Sequence, residues 1–311
     1  MKLSKAHILL FHRVHPTRDP LWDPMDPKLF DQVLNYVSKK YTVLSMSEIT
    51  SGKDIKSAKP IVAITFDDGY KDFIEYSLPI LTKYNLPSSM YVVTNCIDEN
   101  SPTWTYMVDH YFFHTRKLEI DDVPFEGLPE KYLITRWNSK SERLKFGSSF
   151  KQFMKTISNE KRKLLLNHII ENFNDVKSPG GMMMNWSEIK TILSENVEVG
   201  SHTVNHPPLA TLENENEIKS ELIDSGERIK QMTGKFPDAI SYPVGSYDKR
   251  VMRIANETGY RIGLAVNHKI YKPERDNLFE IPRLELYNES FLKTKLRATG
   301  FYSSVKNILG R

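Results

Sequence analysis

Short apolar runs alternate with helical patterns along most of the chain, and this alternation constrains the fold more than any other feature of the sequence. Runs of this kind are typical of parallel strands that are buried on both faces and connected by helices. Their number, about eight, is near that of a complete (β/α) barrel. They span residues 7–12, 41–46, 61–66, 88–94, 197–202, 239–243, 261–266 and 280–286. The sequence therefore predicts an α/β fold, a barrel of seven or eight parallel strands.

Helix ends are marked between several of these runs. Asp26 followed by Pro27 predicts the N-cap and the first residue of a helix that ends at Lys40. Gly234 and Gly259 predict the ends of two later helices, because glycine readily adopts the left-handed conformation found after many helices. Periodicity and capping thus predict the same order of elements.

The alternation breaks once, between about residues 101 and 184, and this segment predicts a mostly helical insertion. Its first part is rich in aromatic side chains and its later part in Lys, Ser and Asn, with one helix predicted at about 160–173. Long excursions from a barrel either carry function or only support it, and the sequence leaves both readings open. We predict a single barrel domain over residues 1–311 that carries this insertion.

The charge balance argues against binding to nucleic acid or to an acidic membrane surface. The 311 residues include 43 Lys and Arg and 39 Asp and Glu, so the net charge of +4 is dilute, and no basic cluster concentrates it.

Cys96 is the single cysteine and cannot form an internal disulfide. The apolar run at residues 8–11 is too short for a secretion signal or a transmembrane segment, which predicts a cytoplasmic protein. The sequence indicates no oligomeric state.

Two adjacent carboxylates follow the apolar run at 61–66. Asp67 and Asp68 would repel each other at the end of a buried strand, so a cation is the simplest way to offset their charge. Gly69 allows the backbone to turn sharply there, which lets both carboxylates converge. The structural alternative is an Asp-Gly turn at the start of a helix, which that pair on its own would favour.

Two histidines four residues apart follow another predicted strand. If the backbone turns helically there, His202 and His206 present both rings on one face, where two imidazole nitrogens can bind one divalent ion. A lone histidine is more often a core or surface residue, but the spaced pair and the carboxylates at another strand end favour a metal site. One Asp with two His suits Zn, Co, Mn, Ni or Fe and argues against Ca or Mg. The remaining Asp is then placed to act as general base toward water on the ion, which predicts metal-assisted hydrolysis.

Three segments together resemble the motifs of the polysaccharide deacetylases, carbohydrate esterase family four, which share the chitooligosaccharide deacetylase homology domain. They are residues 65–69 (TFDDG), 202–206 (HTVNH) and 240–248 (ISYPVGSYD), in this order. The opening at 9–14 (LLFHRV) is similar to the start of a bacterial subgroup, so the resemblance covers nearly the whole chain. It implies a deformed (β/α) barrel that removes acetyl groups from N-acetylated sugars.

The resemblance also implies roles for individual residues. Asp67 would be the base, while Asp68, His202 and His206 would bind one divalent transition metal, with zinc favoured. The backbone N–H of Val244 would stabilise the oxyanion, a task for which the side chain does not matter. The neighbouring positions of this third motif, expected to help bind the substrate, are Tyr242, Pro243 and Gly245.

Two positions depart from the family pattern. Ser241 stands where the third motif commonly has an arginine that orients the base. Arg283 is hypothesised to reach Asp67 in its place, and the alternative is an ordinary surface ion pair. No histidine follows Arg283, although many relatives use a late histidine as general acid. The replacements considered are His12, which is equally compatible with a packing role, and, less favoured, His268 in a loop.

The predicted function is metal-dependent removal of N-acetyl groups from amino sugars, in the synthesis or modification of a surface glycan. The predicted location favours a small or lipid-linked saccharide over a finished polymer. A glycoside hydrolase is one alternative, although its two carboxylates stand about 5–9.5 Å apart, and a carbohydrate-binding protein that keeps the metal without catalysis is another.

Trp186 is expected to pack in the core. The aromatic side chains available to stack on sugar rings are Trp22, Trp104, Tyr106 and Tyr247, with Trp186 as a less favoured candidate.

Overall fold

The strands of the structure pair in parallel throughout the main sheet. This computed structural model describes residues 3–122 and 127–300. Every residue of the first, third and fourth strands is buried, which is why these segments do not alternate between apolar and polar residues. The strands are β1 (Ala6–Phe11), β2 (Thr42–Val43), β3 (Ile61–Asp68), β4 (Ser88–Val92), β5 (Val197–Ser201), β6 (Ala239–Ser241), β7 (Ile262–Ala265), β8 (Ile281–Pro282) and β9 (Leu284–Glu285).

The sheet curls into a nearly closed barrel. Neighbouring strands follow the order β8-β7-β6-β5-β4-β3-β1-β9, and β2 pairs with the beginning of β3. The strands at the two ends of this order, β8 and β9, are consecutive in the chain and are separated by Arg283 alone. Because β8 pairs with β7 and β9 pairs with β1, the last apolar run closes the ring. The predicted barrel of parallel strands is confirmed.

Helices connect most of the strands. Asp26 caps the first helix by accepting from the Lys28 N–H, and Pro27 is its first residue, as predicted. No helix in the described part of the chain has both the length and the apolar character needed to cross a bilayer. The helices are α1 (Pro27–Lys40), α2 (Met46–Thr50), α3 (Leu78–Lys83), α4 (Thr94–Glu99), α5 (Trp104–His114), α6 (Lys140–Met154), α7 (Asn159–Asn172), α8 (Trp186–Leu193), α9 (Glu215–Thr233), α10 (Lys249–Glu257) and α11 (Phe291–Ala298).

Two of the predicted apolar runs form less strand than expected. In the run at 41–46 the strand is limited to β2, because Ser45 is the N-cap of α2. The Ser45 hydroxyl accepts from the Glu48 backbone N–H, and the Glu48 carboxylate accepts from the Ser45 backbone N–H. In the run at 280–286 the strand is interrupted at Arg283, whose side chain is fully buried. In both places a polar side chain with specific partners overrides the apolar pattern.

The insertion has an apolar core of its own. Its helices α5, α6 and α7 pack together, and Arg143 is buried among them, donating to the carbonyl oxygens of Phe112 and Lys117. That residues 1–311 form a single domain remains a prediction. The buried apolar side chains of this layer include Met107, Val108, Phe112, Phe150, Met154, Leu165, Ile169 and Phe173.

The candidate functional residues follow strands that end at the same mouth of the barrel. Parallel strands direct all their carboxyl ends to one face, where the active sites of such barrels lie. Asp68 is the last residue of β3, His12 follows β1, and His202 follows β5. The topology therefore brings side chains that are far apart in sequence to one place.

Candidate active site

Asp68, His202 and His206 converge on one point at this mouth. The Nε2 atoms of the two histidines each lie 3.5 Å from Asp68 Oδ1, and the three candidate ligand atoms all lie within 4.8 Å of one another. All three residues are buried. A tetrahedral zinc ion with bonds of about 2.0–2.1 Å would separate its ligand atoms by about 3.4 Å, so the spacing fits such an ion.

The donor set is electrostatically incomplete without a cation. Asp68 Oδ1 and His206 Nδ1 are buried and have no hydrogen-bond partner among the described residues. Burial raises the pKa of Asp68 and, together with the neighbouring His202, lowers the pKa of His206 well below its usual range. A divalent ion would offset the cost of burying this carboxylate and would bind the neutral imidazoles. The nitrogen and oxygen donors therefore fit a divalent transition metal.

One hydrogen bond fixes the ring of His202, and another holds the main chain at His206. His202 Nδ1 lies 2.8 Å from the carbonyl oxygen of Ser241, which can only accept a hydrogen bond, so this nitrogen carries the proton and Nε2 presents its lone pair to the cluster. The indole Nε1 of Trp104 donates to the carbonyl oxygen of His206 at 2.8 Å. The His202 ring and the His206 main chain are thus held by groups of the protein itself.

The chain reaches this geometry through unusual backbone turns. Asp68 and Gly69 have φ angles of 76° and 92°, so the sharp turn after β3 that was predicted at Gly69 begins one residue earlier. The helical turn expected between His202 and His206 is not formed. Instead Thr203 and His206 have φ angles of 70° and 57°, and this irregular turn brings both rings to the same point. Such conformations cost about 1–3 kcal/mol each and are typical of functional sites.

A buried glutamate that sequence reasoning missed holds the histidine turn. Glu221 on α9 accepts hydrogen bonds from the backbone N–H groups of Val204 and Asn205, both at 2.9 Å, and from Asn205 Nδ2 at 2.7 Å. In the sequence it lies on the apolar face of this helix, beside Ile218 and Leu222. A charged residue on an otherwise apolar helix face was the signal that could have identified it.

Asp67 is not part of this donor set, although its Oδ2 lies 3.9 Å from His202 Nε2, and it forms a buried ion pair with Arg283. The guanidinium donates from Nη1 to Asp67 Oδ1 and from Nη2 to Oδ2, at 2.7 Å each. Ser241 Oγ donates to Asp67 Oδ2 at 3.0 Å and accepts from Arg283 Nη2 at 2.8 Å. Burial on its own would raise the pKa of Asp67, but the charge of Arg283 outweighs it and holds the pKa well below its usual range. The structure thus contains the hypothesised contact, and Asp67 stays ionised.

His12 lines the cleft that contains the metal donor set, whereas His268 does not. His12 Nδ1 lies 3.7 Å from Glu285 Oε1, and its ring packs against Trp22 with 4.9 Å between the ring centroids. His268 lies in the turn after β7, where its backbone N–H donates to the carbonyl oxygen of Arg283. Of the two histidines, His12 is the one placed to donate a proton in the cleft. Its contact with Trp22 is also compatible with the alternative, a packing role.

The third motif reaches the cleft mainly through its backbone. Val244 lines the cleft in a left-handed conformation, with φ 50° and ψ 20°, which is strained for a β-branched residue. Tyr242 and Gly245 also line the cleft, although the Tyr242 hydroxyl donates to the Phe279 carbonyl oxygen at 3.0 Å. Pro243 is buried and does not line the cleft, so the structure does not support the substrate contact expected of it.

The insertion forms one wall of this cleft, whose volume is about 340 Å³. Thr105, Tyr106 and Asp109 reach the cleft from α5, and Lys151 and Lys155 reach it from the end of α6. The insertion therefore contributes side chains to the cleft, and a functional role for it stays a prediction. Of the aromatic candidates for sugar stacking, those that line the cleft are Trp22 and Tyr106, whereas those that do not are Trp104, Trp186 and Tyr247.

The family model described as polysaccharide deacetylase matches residues 54–118 and 149–263, which is more than half of the chain. The chain therefore belongs to the polysaccharide deacetylase family, whose enzymes act on acetylated carbohydrates, and the resemblance seen in its sequence is confirmed. The unmatched stretch between the two segments lies within the insertion.

Individual proteins are also similar to this chain, either over a short stretch of sequence or in fold at low sequence identity. A Bacillus subtilis (strain 168) protein named as a candidate polysaccharide deacetylase, YxkH, is 31% identical over 77 residues, which cover 25% of this chain and 27% of that protein. The deacetylase PplD of Streptococcus pyogenes, solved with acetate, superimposes with a TM-score of 0.64 at 19% identity and covers 94% of this chain and 97% of its own. IcaB of Ammonifex degensii superimposes with a TM-score of 0.62 at 15% identity and covers 95% and 97%. At these identities the two structures show a shared fold.

Proposed function

We propose that the chain is a metal-dependent hydrolase that removes N-acetyl groups from the amino sugars of an oligo- or polysaccharide, or of a lipid-linked saccharide, that belongs to a surface glycan. The observation that carries this proposal is the separation of two adjacent carboxylates. Asp68 joins two histidines in a donor set for one ion, while Asp67 is bonded to Arg283 and lies outside that set. A ligand and a separate base are what amide hydrolysis by activated water requires. Acetate, found in the PplD structure, is the product that such a reaction releases.

The donor set supports a divalent transition metal as cofactor, with zinc favoured. Bound at Asp68, His202 and His206, such an ion would polarise the acetamido carbonyl and lower the pKa of nearby water. Calcium and magnesium prefer oxygen ligands alone, which this site does not offer.

The remaining chemistry is assigned to groups of the chain. Asp67 takes a proton from the attacking water, and Arg283 with Ser241 fixes the position and charge of that carboxylate. The backbone N–H of Val244 donates to the oxyanion of the tetrahedral intermediate. His12 gives a proton to the leaving amine, which is a poor leaving group without one.

Acetate release from N-acetylglucosamine oligomers tests this proposal. Protein stripped with a chelator and restored with zinc, cobalt or manganese should release acetate and expose an equal amount of free amine. New reducing ends without acetate would instead indicate a glycoside hydrolase. Binding of both the ion and the sugar without acetate release would indicate a carbohydrate-binding protein.

Replacing Arg283 with Met should lower turnover at least about tenfold without changing the metal content. The buried carboxylate of Asp67 would lose both guanidinium hydrogen bonds and its charge partner, so its position and ionisation would no longer be held. The same loss should destabilise the fold by about 3–5 kcal/mol, and rates are therefore compared at a temperature where the variant is folded. An unchanged rate per folded molecule would remove Arg283 from the site.

Arg143→Met is the matched control for this variant. Arg143 is also buried, but its partners are carbonyl oxygens inside the insertion and it does not line the cleft. We expect it to lower the unfolding temperature and to leave turnover per folded molecule near that of the parent. Equal losses of turnover in both variants would show that the effect comes from the stability of the fold.

Replacing His12 with Ala should slow the hydrolysis of an amide and spare that of an activated ester. The amine leaves only when it is protonated, whereas 4-nitrophenolate leaves without an acid. Hydrolysis of 4-nitrophenyl acetate therefore reports the attack on the carbonyl without the protonation step. We expect a loss of about 100-fold in kcat on the N-acetylglucosamine oligomer and less than about threefold on the ester. A fast His12→Ala variant on the oligomer would leave only the packing role against Trp22.

A further inference from the structure

A lysine of the insertion faces the cleft without a partner of its own. Lys155 directly follows α6, as its C-cap, and lines the cleft together with Asp68 and His206. Its side chain makes no hydrogen bond or ion pair with the residues described in the structure. An ammonium group therefore lies in the same cleft as the metal donor set and the base.

The acidic groups around Lys155 already have other partners. Asp109 forms an ion pair with Lys151, and Glu285 accepts from the Tyr287 hydroxyl and faces His12. Burial, followed by the repulsion of Lys151, lowers the pKa of Lys155. Holding an ammonium partly out of water costs free energy when the nearby carboxylates are bonded to other groups, and an anion bound in the cleft would offset that cost.

We propose that Lys155 binds an anionic group of the substrate, a phosphate or a carboxylate carried by the saccharide close to the N-acetylated sugar. This inference rests on the proposed deacetylase function and specifies the class of saccharide. Lys155 lines the same cleft as Asp67 and Asp68, so a saccharide whose acetamido group lies at these carboxylates can present an anionic group to Lys155. A neutral chain of N-acetylglucosamine would leave the ammonium without a partner.

Three oligomers of equal length test the proposal and separate its two sources of charge. They are the N-acetylglucosamine trimer, the same trimer as its 1-phosphate, and a trimer in which N-acetylglucosamine alternates with glucuronate. One of the two charged oligomers should exceed the neutral trimer in kcat/KM at least about tenfold, because a charge-assisted hydrogen bond contributes on that scale. The preference should weaken as the salt concentration rises.

Lys155→Met should abolish this preference through KM, and Lys155→Arg should retain most of it. In Lys155→Met the kcat/KM of the charged trimer should fall much further than that of the neutral trimer, since only the charged trimer has an anion to bind. Lys145→Met is the matched control, because Lys145 is exposed on the same helix and does not line the cleft. Calorimetry with ion-free protein measures the same preference in binding and does not depend on catalysis.

The outcomes separate this inference from the proposed function. Equal use of all three oligomers by the parent protein, or equal losses on all three in Lys155→Met, would overturn the role of Lys155. If no oligomer releases acetate but ion-free protein binds a charged oligomer in a Lys155-dependent way, the deacetylase proposal fails and the anion site stands.

Discussion

Replacing Asp67 with Asn should reduce acetate release at least about 100-fold while the protein still binds its metal ion. Asparagine has nearly the same shape as aspartate but cannot take a proton from water. Because Asp67 lies outside the donor set of Asp68, His202 and His206, the ion should bind with unchanged stoichiometry. Acetate release and metal content of the same preparation are the two measurements.

The variant also leaves Arg283 as a buried cation without an anion, so its fold must be controlled for. The double variant Asp67→Asn/Arg283→Met removes both charges and should be more stable than either single variant, yet remain inactive. Asp98→Asn is a matched control, because Asp98 pairs with Arg228 outside the cleft and should keep full activity. Activity in the stable double variant would contradict the assignment of Asp67 as base.

Replacing Asp68 with Asn should weaken metal binding by at least about 100-fold and abolish the stabilisation that the ion gives. An ion that binds only the folded protein stabilises it by about 2.7 kcal/mol at a hundred times its dissociation constant. The parent should therefore show a rise in unfolding temperature when zinc is added, and the variant should show almost none. Calorimetric titration gives the affinity, and thermal unfolding gives the stabilisation.

The ion-free state offers a sharper test of the same residue. Asp68 Oδ1 is buried without a hydrogen-bond partner, so the ion-free Asp68→Asn variant should be at least as stable as the ion-free parent. His168→Ala is the matched control, since His168 bonds the Asp121 carbonyl oxygen away from the cleft and should bind zinc like the parent. Unchanged zinc affinity in Asp68→Asn would exclude Asp68 as a ligand.

The sequence was sufficient to predict features that depend on local patterns. Apolar runs mark strands buried on both faces, and the carboxyl ends of parallel strands share one mouth, so the approach of Asp68 to His202 followed from topology. The exact backbone path did not follow. The spacing of the two histidines predicted a helical turn, whereas Thr203 and His206 adopt left-handed conformations that periodicity does not encode.

Other parts of the site depend on contacts that only the closed barrel creates. The bond between Arg283 and Asp67 joins residues 216 positions apart and requires the last apolar run to close the ring. Glu221 acts through the backbone of a loop, and Lys155 reaches the cleft from an insertion whose packing no barrel pattern describes. For these residues the sequence gives the type of side chain, but the groups that it contacts could not be predicted.

Acetate release measured against equivalents of zinc added to chelator-stripped protein tests whether hydrolysis depends on a metal ion. We expect no release without the ion, then a linear rise and a plateau at one equivalent of zinc. The Asp67→Asn variant should bind the same single equivalent and stay inactive. Full release from stripped protein in the continued presence of chelator would contradict a function that depends on Asp68, His202 and His206 holding a metal ion.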